Sequence, residues 1–103
     1  MYRGMIGEIH FPETSIIGKN CFKMCSMLDT ADIRNVIDIG DSAFQDCVLL
    51  EELATPKLKT IGNASFQGCT KLKSINTDST SSIGYSAFQD CISLETLNIP
   101  RVK

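Results

Sequence analysis

The chain has little of what most function classes require. No apolar run approaches the roughly 20 residues that a membrane-spanning helix needs, so no membrane insertion is expected. No glycine-rich loop of the kind that cradles phosphate is present. There is one histidine, His10, in 103 residues. The formal net charge is only -2, too small to argue for nucleic acid or an anionic membrane surface as partner. Met1 to Glu8 contains one arginine but no apolar h-region, so no signal peptide is read there. The location is therefore open between the cytoplasm and a piece of a longer cell-surface protein.

What is present is repetition. Ile83-Gly84-Tyr85-Ser86-Ala87-Phe88-Gln89-Asp90-Cys91-Ile92-Ser93-Leu94 returns 22 residues earlier as Ile61-Gly62-Asn63-Ala64-Ser65-Phe66-Gln67-Gly68-Cys69-Thr70-Lys71-Leu72. It returns again from Ile39 to Leu50 and from Ile17 to Leu28. Isoleucine, glycine, phenylalanine, cysteine and leucine hold their places in all four copies, with no insertion between them. A fixed period of this length marks a solenoid, whose units bury their apolar faces only against neighbours. Residues 1–14 carry a partial N-terminal repeat or cap, because Ile9-His10-Phe11-Pro12 matches Leu97-Asn98-Ile99-Pro100 four periods on. Residues 15–103 hold four full repeats of one domain.

Each repeat divides in two. From Gly40, the apolar positions Ala43, Phe44, Cys47 and Leu50 are spaced by three and four, which predicts a short helical segment of about two turns. Ser42 and Ser86 are placed to cap such a turn. The glycine is expected to permit a turn that a Cβ would obstruct. The second half alternates: Ile9/Phe11, Ala31/Ile33, Leu53/Thr55 and Ile75/Thr77 point inward from strands near 8–11, 30–33, 52–55, 74–77 and 96–99. Stacked coils would place these strands about 4.8 Å apart in a parallel sheet. The segment Thr77-Asp78-Ser79-Thr80-Ser81-Ser82 is polar where other copies have proline and an aliphatic, and reads as a solvated turn.

The cysteines carry no expected chemistry. Cys25, Cys47, Cys69 and Cys91 share one repeat position, and a line of one per coil does not converge tetrahedrally on a metal. Cys21 stands where other copies have alanine or serine, so it is used for its small size. His10 lies outward near Asp32, but no serine or cysteine is placed to complete a nucleophilic set. No enzyme, metal or cofactor is expected. Asn63-Ala64-Ser65 is a formal glycosylation sequon whose serine falls at a core position.

The surface able to meet a partner is the outward face of the sheet. Strand alternation puts Glu8, Thr30, Glu52, Ser74 and Thr96 in one row, and His10, Asp32, Ala54, Asn76 and Asn98 in the next. Lys57, Lys59, Lys71 and Lys73 form a modest basic area elsewhere.

The pattern Ile-Gly-x-x-Ala-Phe-x-x-Cys-x-x-Leu-x-x-Leu-x-Ile-Pro, as it stands in residues 83–100, resembles the BspA-type (Treponema pallidum-like) leucine-rich repeat. The resemblance covers residues from about 8 to 103. It implies an α/β solenoid: a right-handed coil with a parallel sheet on its concave face and short helical segments opposite. It also implies a protein-protein interaction module, of the kind found in surface adhesins that bind host or matrix proteins. The concave-face residues Glu8, His10, Thr30, Asp32, Glu52, Ser74, Asn76, Thr96 and Asn98 would then meet a protein partner. The alternative is a structural spacer with no recognition role. Because neither terminus supplies a convincing cap, end-to-end self-association is also expected.

If the phenylalanines form the core column, Phe66→Ala costs on the order of 3–5 kcal/mol through the cavity it leaves. A loss below about 1 kcal/mol in denaturant melts would show that the column is not the core.

Overall fold

A computed structural model of the chain describes residues 7–95. It is a parallel-sheet solenoid of about three turns, with two sheets and a series of tight arcs. Strands β1 (Glu8–His10), β3 (Thr30–Asp32) and β5 (Glu52–Ala54) form one parallel sheet in that order. Strands β2 (Ile16–Ile17), β4 (Asp38–Ile39), β6 (Thr60–Ile61) and β7 (Ser82–Ile83) form a second. Every paired residue lies 22 positions from its partner, as in Ile9↔Ala31↔Leu53 and Ile17↔Ile39↔Ile61↔Ile83. The sequence period is thus the pairing register itself. The second sheet was not expected. Its strands are two residues long, too short for an alternating pattern to show.

The core is one column per repeat position. Phe22, Phe44 and Phe66 are fully buried, as are Leu28, Leu50 and Leu72. Successive rings stack: Phe22–Phe44, Phe44–Phe66 and Phe66–Phe88 have centroids 5.4, 5.3 and 5.6 Å apart and are nearly parallel. The coil spacing dictates this separation, which lies within the favourable range for aromatic pairs. Phe11 lies 6.0 Å from Phe22, tilted by 31°, and covers the N-terminal end of the stack.

The predicted helical segments are not helices; among the described residues there is no helix. The arcs 18–28, 40–50, 62–72 and 84–94 are chains of tight turns. In the second arc, Ala43, Gln45 and Cys47 donate their amides to Gly40, Ser42 and Phe44, three residues back. The alternate amides leave the coil: Ser42, Phe44 and Asp46 donate to the carbonyls of Asn63, Ser65 and Gln67 in the next one, at 2.9, 2.7 and 2.7 Å. A helix would use each of these amides within its own chain. The alternation demands a left-handed backbone twice per arc, at Asn20 and Met24, Ser42 and Asp46, Ala64 and Gly68, and Ser86 and Asp90. Apolar spacing of three and four suits such an arc as well as it suits a helix, so periodicity could not separate the two.

Two further expectations change. The serines do not supply the capping bonds; the residues after the glycines do. Asp41 Oδ1 accepts the Asn63 amide at 2.9 Å, and Asn63 Oδ1 accepts the Tyr85 amide at 3.0 Å. The glycines serve close approach rather than a special turn. A Cβ on Gly40 would stand 2.7 Å from the Lys19 nitrogen, and one on Gly62 would stand 2.6 Å from both Asp41 N and Gly40 C. A Cβ on Gly84 would stand 2.5 Å from Asn63 N. A Cβ on Gly18, in the first arc, would meet nothing within 4 Å among the described residues.

The strand expected near 74–77 is reduced to a single bridge at Ser74, although Ile75 and Thr77 still point inward and are buried. The fifth strand, near 96–99, lies outside the described residues. The polar segment 77–82 is only partly solvated. Thr77 and Thr80 are buried, and Thr80 Oγ1 donates to the Leu58 carbonyl at 2.9 Å. Threonine has the shape of valine, so it fills an aliphatic place once its hydroxyl is bonded. Ser65, also fully buried, has no hydrogen-bond partner for Oγ among the described residues.

Two glycine substitutions separate coil approach from turn strain. Gly62→Ala should destabilise by about 1–3 kcal/mol or more, because the obstructing atoms are backbone. Gly18→Ala should stay within about 0.5 kcal/mol. Equal effects in thermal or denaturant melts would show that the glycine is needed for something other than the neighbouring coil.

Candidate functional site

The outward face of the three-stranded sheet brings together the described residues singled out from the sequence. Glu8, Thr30 and Glu52 pair across β1, β3 and β5, and His10, Asp32 and Ala54 form the adjacent row. Strand alternation turns both rows outward while Ile9, Ala31 and Leu53 point in. The small side chain of Ala54 leaves a shallow depression lined by His10, Thr30, Asp32, Glu52, Leu53 and Ala54. Ser74, one period on from Glu52, is exposed and forms a single bridge. Asn76 is exposed and engaged locally: its Oδ1 accepts the Asp78 amide at 2.9 Å, and its carbonyl accepts Thr55 Oγ1 at 3.1 Å. Thr96 and Asn98 lie outside the described residues.

The polar groups on this face are linked. His10 stands between two carboxylates, with Nε2 3.6 Å from Glu8 Oε1 and Nδ1 3.9 Å from Asp32 Oδ2. Thr30 Oγ1 donates to Glu8 Oε2 at 3.4 Å. Arg34 takes both oxygens of Asp32, with Nε to Oδ1 at 3.0 Å. The Arg34 hydrogen bond holds the Asp32 carboxyl below the usual carboxylate range, as expected for a fork-to-fork pair. Arg34, at the position held by Pro12 and Pro56 in other copies, is not among the residues singled out from the sequence. The signal was available, since residues 32 and 34 fall on one side of an extended segment.

Elsewhere the chemistry is structural. None of the five cysteines is in a disulfide. The thiols of Cys47, Cys69 and Cys91 each donate to the carbonyl of the phenylalanine in the preceding coil, Phe22, Phe44 and Phe66, at 3.1 Å. Burial pushes the Cys47 thiol up to about 12 and those of Cys69, Cys91 and Cys21 in the same direction. Among the described residues, no group of three or more His, Cys, Asp or Glu is arranged to hold a metal ion. Nor is any helix among them long and apolar enough to cross a membrane. The basic residues act singly: Lys57 donates to Asn35 Oδ1 at 2.8 Å, and Lys73 lies 3.5 Å from Glu51. Within the formal sequon, Asn63 is committed to the Tyr85 amide and Ser65 is enclosed.

Comparison with known proteins places this arrangement. A profile described as "BspA type Leucine rich repeat region" matches residues 2–103 in six copies. None of the curated proteins matches the chain. Among solved structures, a leucine-rich cell surface protein from Faecalibacterium prausnitzii A2-165 is similar, with a TM-score of 0.65 and 20% sequence identity. The match covers 95% of this chain and 32% of that one, so the chain spans about a third of that protein's length. At this identity the likeness speaks for the fold alone.

The buried thiols give a direct test. In the folded chain, Cys47 should alkylate at least about tenfold more slowly than in the unfolded chain, because burial covers the thiol and holds it protonated. The folded state holds the Cys47 proton more tightly than the unfolded chain does, with values of about 12 and 9.0. The stability this contributes is complete below the lower value and is lost as pH rises towards the upper. Rapid labelling of native protein, read by mass spectrometry, would contradict the enclosed position.

Proposed function

The chain belongs to the BspA-type leucine-rich repeat family, and on that premise we propose that it is a protein-binding module. Its partner covers the outward face of the three-stranded sheet, contacting Glu8, His10, Thr30, Asp32 and Glu52. Ser74 and Asn76 extend the contact, and Thr96 and Asn98 continue it in the sequence pattern. It works by binding rather than by catalysis. The observation that supports this most is the register: exposed polar side chains from three coils are held in ranks on a rigid sheet, around a depression. Rigid presentation lowers the ordering cost of association.

Attachment to host or matrix proteins at a cell surface is the finer form of this reading. It draws on the family and on the neighbour described as a cell surface protein. A spacer role is the second reading. It draws on the repetition itself, since one register runs through every described coil. Phe88, Cys91 and Leu94, half-buried on the last described arc, support self-association.

Surface plasmon resonance against extracellular matrix proteins separates the readings. Replacing Asp32, Asn76 and Asn98 by alanine should weaken binding by about tenfold or more, on the order of 1.4 kcal/mol. Unchanged binding by a folded triple variant would remove this face. Absence of binding to every matrix protein, with a light-scattering mass that grows with concentration, would favour the spacer.

A further inference from the structure

The three-stranded sheet carries carboxylates and no lysine or arginine, and this local charge bears on the chemistry of the partner. β1, β3 and β5 have the sequences EIH, TAD and ELA: three carboxylates and no lysine or arginine. The lysines of the described residues lie outside this sheet, at positions 19, 23, 57, 59, 71 and 73. Arg34, just beyond β3, is committed to Asp32. Among the described residues, Glu8 is met by His10 and by the Thr30 hydroxyl. Glu52 is exposed and forms no ion pair among the described residues.

The depression beside Glu52 has a mixed lining. Ala54 presents its side chain there, the inward-turned Ala31 and Leu53 line it from the strands, and Asp32 and Glu52 are among its residues. Apolar and acidic groups side by side fit a long side chain that is aliphatic along its stem and cationic at its tip. The carboxylates lie in different rows of the sheet and do not converge on a point, so the arrangement suits a side chain better than a metal ion.

We propose that the sheet face docks a basic protein segment, with the stem of one lysine or arginine lying over Ala54 and its charge against Glu52, and a second basic residue facing Glu8. This rests on the sheet face being the binding surface and adds the partner's chemistry to it. Opposite charge across an exposed interface contributes chiefly to the rate of encounter and to specificity, so the interaction should depend strongly on salt.

The test uses the full chain, isotopically labelled for NMR, and two flexible glycine-serine peptides, one with four lysines and one with four glutamates in their place. The expected result is that the lysine peptide shifts the amides of residues 8–10, 30–32 and 52–54 at ionic strength of about 0.01 M and does so far less at about 0.15 M. The glutamate peptide should shift none of them. Glu8→Gln with Glu52→Gln should weaken the lysine peptide about five- to tenfold. Asp46→Asn with Asp90→Asn, exposed carboxylates on the arcs, should leave it unchanged. Preserved spectral dispersion shows that each variant is folded.

Equal weakening by both pairs, or shifts centred on other acidic positions, would overturn the proposal. So would shifts of the sheet amides on simply concentrating the chain, which would make a second copy the occupant. If the lysine peptide fails while the triple alanine variant still loses a matrix protein, the charge rule is wrong and the face stands. If both fail, the face itself is wrong.

Discussion

Backbone amides of each arc must reach the carbonyls of the next coil, and this approach is what the rest of the structure is arranged around. Phe44 donates to Ser65 at 2.7 Å and Phe66 donates to Ala87 at 2.9 Å. Coils this close leave no room for a side chain at the entry to the arc, hence Gly40, Gly62 and Gly84. They also set the ring separations of 5.3–5.6 Å in the aromatic stack. The cysteine position follows from the same geometry, since a small thiol fits between coils and adds a second donor to a phenylalanine carbonyl that already accepts an amide of its own coil. One distance therefore explains three of the five invariant letters of the repeat.

The same constraint decides where the chain can vary. Thr77 and Thr80 replace apolar residues in the last described coil, and the fold tolerates them because the Thr80 hydroxyl finds the Leu58 carbonyl one coil away. Ser65 has no such partner and occupies a place that alanine fills in the neighbouring coils. In a stack with a fixed register, a neighbouring coil is always at hand to satisfy a short hydroxyl, but only where a carbonyl points toward it. The outward sheet positions are free of this demand. Their side chains answer to solvent and to whatever covers them, which is why Glu8, Thr30 and Glu52 differ while Phe22, Phe44 and Phe66 do not.

That division links fold to function. The interior repeats and so cannot encode a specific partner. The exterior does not repeat: on the three-stranded sheet it carries three carboxylates, one histidine and a hollow beside Ala54. The Asp32–Arg34 fork fixes one of the carboxylates in place, and Glu52 remains available beside Ala54. A surface built this way suits recognition of a protein by shape and charge.

The sequence alone determined the solenoid, the 22-residue register, the phenylalanine column and the two outward rows on β1, β3 and β5. Each of these follows from a period, and a period survives in one dimension. It also placed His10 beside Asp32, because one repeat length is one step across the sheet. Only the tertiary structure decided that the arcs are turns rather than helices, that the glycines guard an approach between coils, and that a second sheet of two-residue strands exists. It likewise decided that Asp41 and Asn63 cap the arcs and that Arg34 clasps Asp32. These depend on what the next coil offers to a given amide or carboxylate. Spacing of three and four reports which side chains face inward, but it is silent on whether an amide bonds within its own coil or to a neighbour 21 residues away.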